Sequence, residues 1–95
     1  VTALEAIESM RRQLAIELGP FGIRVVTLRS GGVPESLPAA MEGREGIAGT
    51  IAAATLLNRA ATLEDVGNAA VFAASDMAAS ITGATINISA GALLD

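Results

Sequence analysis

Apolar and polar positions alternate with a helical period at the start of the chain. Over Thr2–Leu18 apolar residues recur at steps of three and four, which predicts an amphipathic helix. Gly19 and Pro20 follow and predict its end, because glycine favours a helix C-terminus and proline prevents continuation. The predicted apolar face comprises Leu4, Ile7, Met10, Leu14 and Leu18.

Two later runs are rich in β-branched residues and predict strands. Residues 23–28 (IRVVTL) are almost continuously apolar, which is typical of a strand covered on both faces of a parallel sheet. Residues 84–89 (ATINIS) alternate and predict the second strand. Between them a helix is predicted to begin at a Thr62 cap, with Glu64 and Asp65 at the positive end of its dipole. Strands joined by such a helix are normally parallel.

The stretch between the first strand and the Thr62 helix has weaker signals. Gly31 and Gly32 with a following proline predict a loop. Residues 35–49 predict a mobile loop with short helical turns, and residues 50–57 predict a helix of low amphipathicity. The element order is therefore helix, strand, helical loop, helix and strand, which defines an α/β fold class. Ligands of open parallel sheets bind at the carboxyl ends of strands, so the glycine pair is either a ligand contact or a flexible turn.

The chain lacks most of the side chains that commonly act in catalysis. The chain of 95 residues contains no Cys, His, Lys or Tyr, so thiolate and imidazole chemistry and the metal sites built on them are excluded. Ser30, Ser36 and Thr82 have no neighbouring base and are not credible nucleophiles. The net charge of −4 argues against a nucleic-acid partner. No apolar run approaches the roughly 20 residues of a membrane span, so no membrane association is expected.

Several segments resemble short-chain dehydrogenases and reductases. Residues 14–25 (LAIELGPFGIRV) are similar to the LA-x-ELGP-x-GIRV stretch of that family, and residues 30–33 (SGGV) fall where the family has a PG-x-V turn. Residues 59–66 (RAATLEDV) are similar to R-x-x-x-P-E-D-V. The remaining matches are FAASD (72–76) with ITG (81–83), similar to FLASD…ITG, and NISAG (87–91), which lies where the family ends in V-D-G-G. The resemblance extends over essentially the whole chain in the family's order.

The resemblance implies both a fold and an activity. The fold is a doubly wound, Rossmann-type dinucleotide-binding sheet, of which residues 1–95 would be the C-terminal segment of a single domain. The activity is hydride transfer between NAD or NADP and a small carbonyl or alcohol substrate. Ser30, Gly31, Gly32 and Val33 would bind the cofactor, with the backbone of Gly32 and Val33 at the nicotinamide carboxamide. Residues 35–57 would cover the substrate as a lid.

Further expectations follow from the same resemblance. The glycine-rich phosphate loop and the catalytic Ser and Tyr would lie outside these residues, so the chain alone is not expected to be active and no catalytic residue is assigned within it. A homodimer or homotetramer is expected, because the family's last helix and strand commonly form subunit contacts. A cytoplasmic location is expected, and the Ala- and Arg-rich, Lys-free composition suggests a bacterial gene.

Four positions depart from the family pattern. A gapless match places Leu4 where the family has the Lys that orients the ribose. Ser30 replaces a Pro, Glu35 falls where a Thr often lies near the pyrophosphate, and Ala90 replaces the first Gly of the terminal pair. These changes leave an alternative to the enzyme, namely a divergent, non-catalytic member that serves as a binding or oligomerisation module.

Overall fold

The computed structural model describes residues 2–95 as three helices and two short parallel strands. In chain order the elements are α1 (Thr2–Leu18), β1 (Thr27–Arg29), α2 (Arg44–Ala53), α3 (Leu63–Ala74) and β2 (Thr85–Asn87). Single 3-10 turns occupy Gly19–Phe21, Pro34–Ser36 and Asp76–Ala78. The predicted element order and the α/β class are confirmed.

The two strands pair in parallel and define the centre of the fold. Thr27 lies opposite Thr85, and Arg29 lies opposite Asn87. The predicted strand over residues 23–28 is wrong in its bounds, because β1 covers only Thr27–Arg29. The pairing begins at Thr27 opposite Thr85, so residues 23–26 lie opposite residues that come before β2. Isolated bonds hold them instead, such as the one from the Gly83 N–H to the Val25 carbonyl at 2.8 Å.

The second strand is also shorter than its alternating pattern predicts. β2 ends at Asn87, although the pattern runs to residue 89. The Ile88 N–H still donates to the Arg29 carbonyl at 2.8 Å, and the chain then turns away at Ser89. Pairing therefore stops where both segments enter the turns that follow the strands.

Helix α1 has the predicted bounds, but the chain leaves its apolar face open. Leu4, Ile7, Met10 and Leu14 are between 40% and 62% exposed, and only Leu18 of the predicted face is half-buried. On the side facing the sheet, Arg11 forms an ion pair with Glu8 at 2.8 Å. Arg11 also donates to the Thr85 hydroxyl, which in turn donates to the Glu8 carboxylate. A partly buried polar link thus joins α1 to β2.

The helix bounds predicted between residues 35 and 57 are wrong, because α2 begins and ends elsewhere in that segment. It spans Arg44–Ala53, so residues 44–49 are helical rather than loop, and the helix predicted over residues 50–57 ends at Ala53. Buried Thr55 shapes the turn that follows: its hydroxyl donates to the Ala52 carbonyl at 2.8 Å and accepts the Arg59 N–H at 3.0 Å. These local bonds compete with continuation of the helix.

Helix α3 is held at both ends. Its predicted cap is confirmed as a capping box, in which Thr62 accepts the Asp65 N–H and Asp65 accepts the Thr62 N–H, each at 3.0 Å. At the other end, Arg24 donates to the Ala73 carbonyl at 2.6 Å and the Ser75 carbonyl at 3.3 Å. A cation at a helix C-terminus is favourable because unsatisfied carbonyls concentrate there.

The buried apolar core within residues 2–95 is small. Within residues 2–95, Ala61, Ala73 and Ala78 are the buried apolar side chains. Larger apolar side chains remain exposed, among them Phe21 and Val71. The helices that the structure describes include none long and apolar enough to cross a membrane.

Candidate functional site

A glycine loop, residues 30–33, follows β1 at the carboxyl end of the sheet. The turn that follows β2 lies beside it, because parallel strands end at the same edge. Open parallel sheets bind ligands in the crevice at this edge. The structure therefore places the four predicted cofactor-binding residues, Ser30, Gly31, Gly32 and Val33, at this carboxyl edge of the sheet.

The glycine loop is confined by neighbours on two sides. Gly31 has a left-handed φ of 65°, and a Cβ there would lie 3.2 Å from the Ser89 Cβ. A Cβ on Gly32 would lie 3.1 Å from two carbons of Ile51 in α2. Side chains at either position would push the loop away from the β2 turn or from α2. The sequence identified the glycines, and the structure shows what approaches them.

The backbone of the glycine loop presents unused hydrogen-bond donors. The N–H groups of Gly31, Gly32 and Val33 donate to no acceptor among residues 2–95. Both glycines are exposed. The Val33 carbonyl, by contrast, accepts the Ser36 N–H at 2.9 Å and the Ser36 hydroxyl at 2.7 Å. Donors without protein partners at a solvent-facing strand end suit an oxygen-bearing ligand.

The turn after β2 is ordered by a hydrogen-bond network that sequence analysis missed. Ser89 is 3% exposed, and its N–H and hydroxyl donate to the Asn87 amide oxygen at 3.2 and 2.6 Å. The Leu93 N–H donates to the Ser89 hydroxyl at 3.0 Å, and Asn87 donates to the Leu93 carbonyl at 2.8 Å. The available signal was the pair of polar residues, Asn87 and Ser89, at the end of the predicted strand.

The same turn also contacts the predicted lid. The Leu57 N–H donates to the Ala90 carbonyl at 3.1 Å. A Cβ on Gly91 would lie only 2.6 Å from the Leu56 Cβ. Ala90, where the family has glycine, adopts a left-handed φ of 55°, so this departure places an alanine in a conformation that favours glycine.

Two ion pairs flank the site. Arg29 and Asp95 join the end of β1 to the end of the chain at 2.5 Å, and Arg59 pairs with Asp65 at 3.1 Å near the start of α3. The Thr62 backbone N–H, with the Arg59 guanidinium beside it, lowers the pKa of Asp65 below its ordinary value. Asp65 therefore acts as an ionised capping group.

The hydroxyls set aside as nucleophiles have structural partners. Ser30 donates to the Gly31 carbonyl at 3.1 Å, and Thr82 accepts the Val25 N–H at 3.0 Å. No group of acidic side chains able to hold a metal ion occurs in the part of the chain that the structure describes. Leu4 lies on the open face of α1, and Glu35 is exposed in the turn after the glycine loop.

Comparison with known proteins places this geometry in a family. A model described as enoyl-(acyl carrier protein) reductase matches residues 2–92. The NADH-dependent enoyl-[acyl-carrier-protein] reductase of Haemophilus influenzae is 34% identical over 89 residues, which is 94% of this chain and 34% of that protein. The chain thus spans about a third of the length of the curated relatives that it matches.

Solved structures agree with the sequence comparison. A short-chain dehydrogenase/reductase family oxidoreductase from Burkholderia thailandensis is 33% identical, with a TM-score of 0.80 over 96% of this chain and 36% of its own. An enoyl-(acyl-carrier-protein) reductase from Anaplasma phagocytophilum in complex with NAD is 31% identical, with a TM-score of 0.76 over 93% and 31%. The fold is accordingly a part of the Rossmann-type sheet, and the chain belongs to the short-chain dehydrogenase/reductase family, as matched by the enoyl-(acyl carrier protein) reductase model.

Proposed function

We propose that these residues form the C-terminal segment of the cofactor-binding domain of an NAD(P)-dependent oxidoreductase. The reaction is hydride transfer between nicotinamide and a carbonyl or alcohol substrate. The observation that carries the proposal is the glycine loop, whose N–H groups have no acceptor among the described residues and whose glycines expose backbone at the strand ends. Family membership supports it, because relatives include an NADH-dependent reductase.

The glycine loop fits the nicotinamide end of a dinucleotide. The N–H groups of Gly32 and Val33 suit the carboxamide oxygen, which needs donors held in a fixed direction. Gly31 and Gly32 present no side chain, so a ring can approach the backbone closely. Ser30 orients the loop by donating to the Gly31 carbonyl. The bound cofactor supplies the hydride, and these residues hold its reactive end.

Residues 35–57 act in this proposal as the substrate lid. Helix α2 lies inside that segment, and its Ile51 packs where a side chain on Gly32 would be. The lid and the glycine loop therefore share a contact, so closing over a substrate and ordering the loop are linked. Lids of this kind exclude water and complete the site when they close.

The remaining features of the proposal concern the whole protein. We place it in the cytoplasm of a bacterium as a homodimer or homotetramer, which agrees with the exposed apolar side chains of α3. Relatives named as enoyl reductases make a conjugated enoyl thioester the second substrate class to test beside carbonyls. The non-catalytic alternative is not favoured, because the relatives compared above are named as reductases or oxidoreductases.

The test is a titration of the full-length protein with NADH and NADPH, followed by nicotinamide fluorescence. Saturable binding is expected, together with oxidation of the reduced cofactor on one member of a carbonyl and enoyl-thioester panel. Gly32→Ala is expected to weaken binding, since its Cβ would press on Ile51, whereas Gly67→Ala in α3 meets nothing within 4 Å and serves as the control. Absence of binding to either dinucleotide at millimolar concentration would contradict the proposal.

A further inference from the structure

Arg29 lies directly before the glycine loop. Its side chain connects the sheet to Asp95, the last residue of the sequence. Its Nη2 lies 2.5 Å from Asp95 Oδ1, and the same oxygen is 3.4 Å from the Asn87 side-chain nitrogen. Arg29 and Asn87 are also partners in the strand register. One carboxylate thus bridges the last residues of both strands at the edge where the glycine loop begins.

The segment that ends at Asp95 rests on the glycine loop. Ser89 and Leu93, which bond to each other at 3.0 Å, lie where a Gly31 side chain would be, at 3.2 Å for Ser89 Cβ and 3.9 Å for Leu93 Cδ1. We call Arg29, Asn87, Ser89, Leu93 and Asp95 the C-terminal clasp. The clasp forms one wall of the loop, and Ile51 of α2 forms the other.

We propose that Arg29 and Asp95 are positioning residues for the cofactor. The inference rests on the proposed function of the glycine loop. Neither residue belongs to the glycine loop itself. Their ion pair keeps the segment after β2 against Gly31, and this contact fixes the direction of the loop's N–H donors. No other ion pair of the described residues joins a strand end to the chain's last residues.

The exposure of the pair determines how large its effect is. The Arg29 side chain is 21% exposed and the Asp95 side chain 64% exposed, so solvent screens part of their attraction. An exposed pair of this kind is worth a factor of about two to five in an equilibrium constant. Salt should weaken the effect, since the Debye length falls to about 3 Å at 1 M ionic strength.

The experiment compares ion-pair variants of the full-length protein. Arg29→Gln and Asp95→Ala are each expected to raise the Kd for NADH by about two- to fivefold, with little change in kcat at saturating NADH. The swapped double variant Arg29→Asp with Asp95→Arg should recover most of the affinity. Glu17→Gln is the control, because among the described residues the Glu17 carboxylate accepts a hydrogen bond only from exposed Gln13 on α1, at 3.1 Å.

Two readouts keep this inference separate from the proposed function. If the wild type binds NADH but Asp95→Ala binds equally tightly, the positioning role is overturned. If the wild type binds no dinucleotide, the proposed function fails, and amide hydrogen exchange of Ile88, Ala92 and Leu93, whose N–H groups donate hydrogen bonds in and beside the clasp, then decides the clasp alone. Faster exchange in Asp95→Ala, reversed in the swapped variant, supports the clasp, and unchanged exchange refutes it.

Discussion

Replacing Gly91 with alanine tests the packing of the turn after β2 most directly. Gly91 has a left-handed φ of 86°, which alanine adopts only at a cost. The new Cβ would also lie 2.6 Å from the Leu56 Cβ and 2.9 Å from its Cγ. The hydrogen bond from the Leu57 N–H to the Ala90 carbonyl ties the two segments together, so neither withdraws freely.

Two contributions make up the expected loss of folding stability in Gly91→Ala. A left-handed alanine costs about 1 to 2 kcal/mol. Overpacking a close contact costs about 1 to 3 kcal/mol. Leu56 is 67% exposed, so the end of its side chain can move aside, but its Cβ cannot. We therefore expect a loss of about 2 to 5 kcal/mol in the free energy of unfolding, a large share of the roughly 5 to 15 kcal/mol typical of a domain.

Urea unfolding of the full-length protein, followed by far-ultraviolet circular dichroism, measures this loss. The matched control is Gly67→Ala inside α3, where a Cβ meets nothing within 4 Å. It should stabilise by about 0.5 to 1 kcal/mol, because glycine is unfavourable within a helix. Leu56→Ala should rescue Gly91→Ala only in part, since alanine retains the Cβ in closest contact. A Gly91→Ala protein as stable as the wild type would refute the reasoning.

Three further predictions concern single positions. Ala90→Gly should stabilise the protein by about 0.5 to 1 kcal/mol in the same urea assay, because removing the cost of a left-handed alanine exceeds the added entropy of glycine. The lowered pKa of Asp65 means that its carboxylate stabilises the folded state above the ordinary carboxyl pKa and that this contribution disappears as the pH falls through the lowered value. Asp65→Asn should therefore flatten the acid limb of stability against pH, and an unchanged limb would contradict the capping role. Leu4→Lys in the full-length protein should raise the rate of NADH oxidation at least tenfold, since the resemblance places a ribose-orienting Lys there, and equal rates would show that Leu4 is not at that position.

Much of the local structure follows from short-range signals in the sequence. The bounds of α1 follow from its apolar period and from Gly19 and Pro20. The start of α3 follows from Thr62 and Asp65, whose capping box needs only neighbouring atoms. The position of the glycine loop after a strand was predicted as well, because its residues break regular structure wherever they occur.

Other features depend on residues far apart in the chain. The ends of β1 and β2 were wrong in the sequence interpretation, because a strand extends only as far as its partner provides backbone groups to pair with. The start of α2 at Arg44 was missed, since glycines weaken its pattern and Gly43 begins it in a left-handed conformation.

Local patterns in the sequence were enough to predict the element order, the family and the residues of the glycine loop. Only the tertiary structure revealed the walls of that loop, Ser89 on one side and Ile51 on the other, and the ion pair between Arg29 and Asp95. These contacts join positions separated by 19 to 66 residues, and no local pattern specifies such a distance. They form because parallel pairing brings both strand ends to one edge, where the turns that follow must pack against each other.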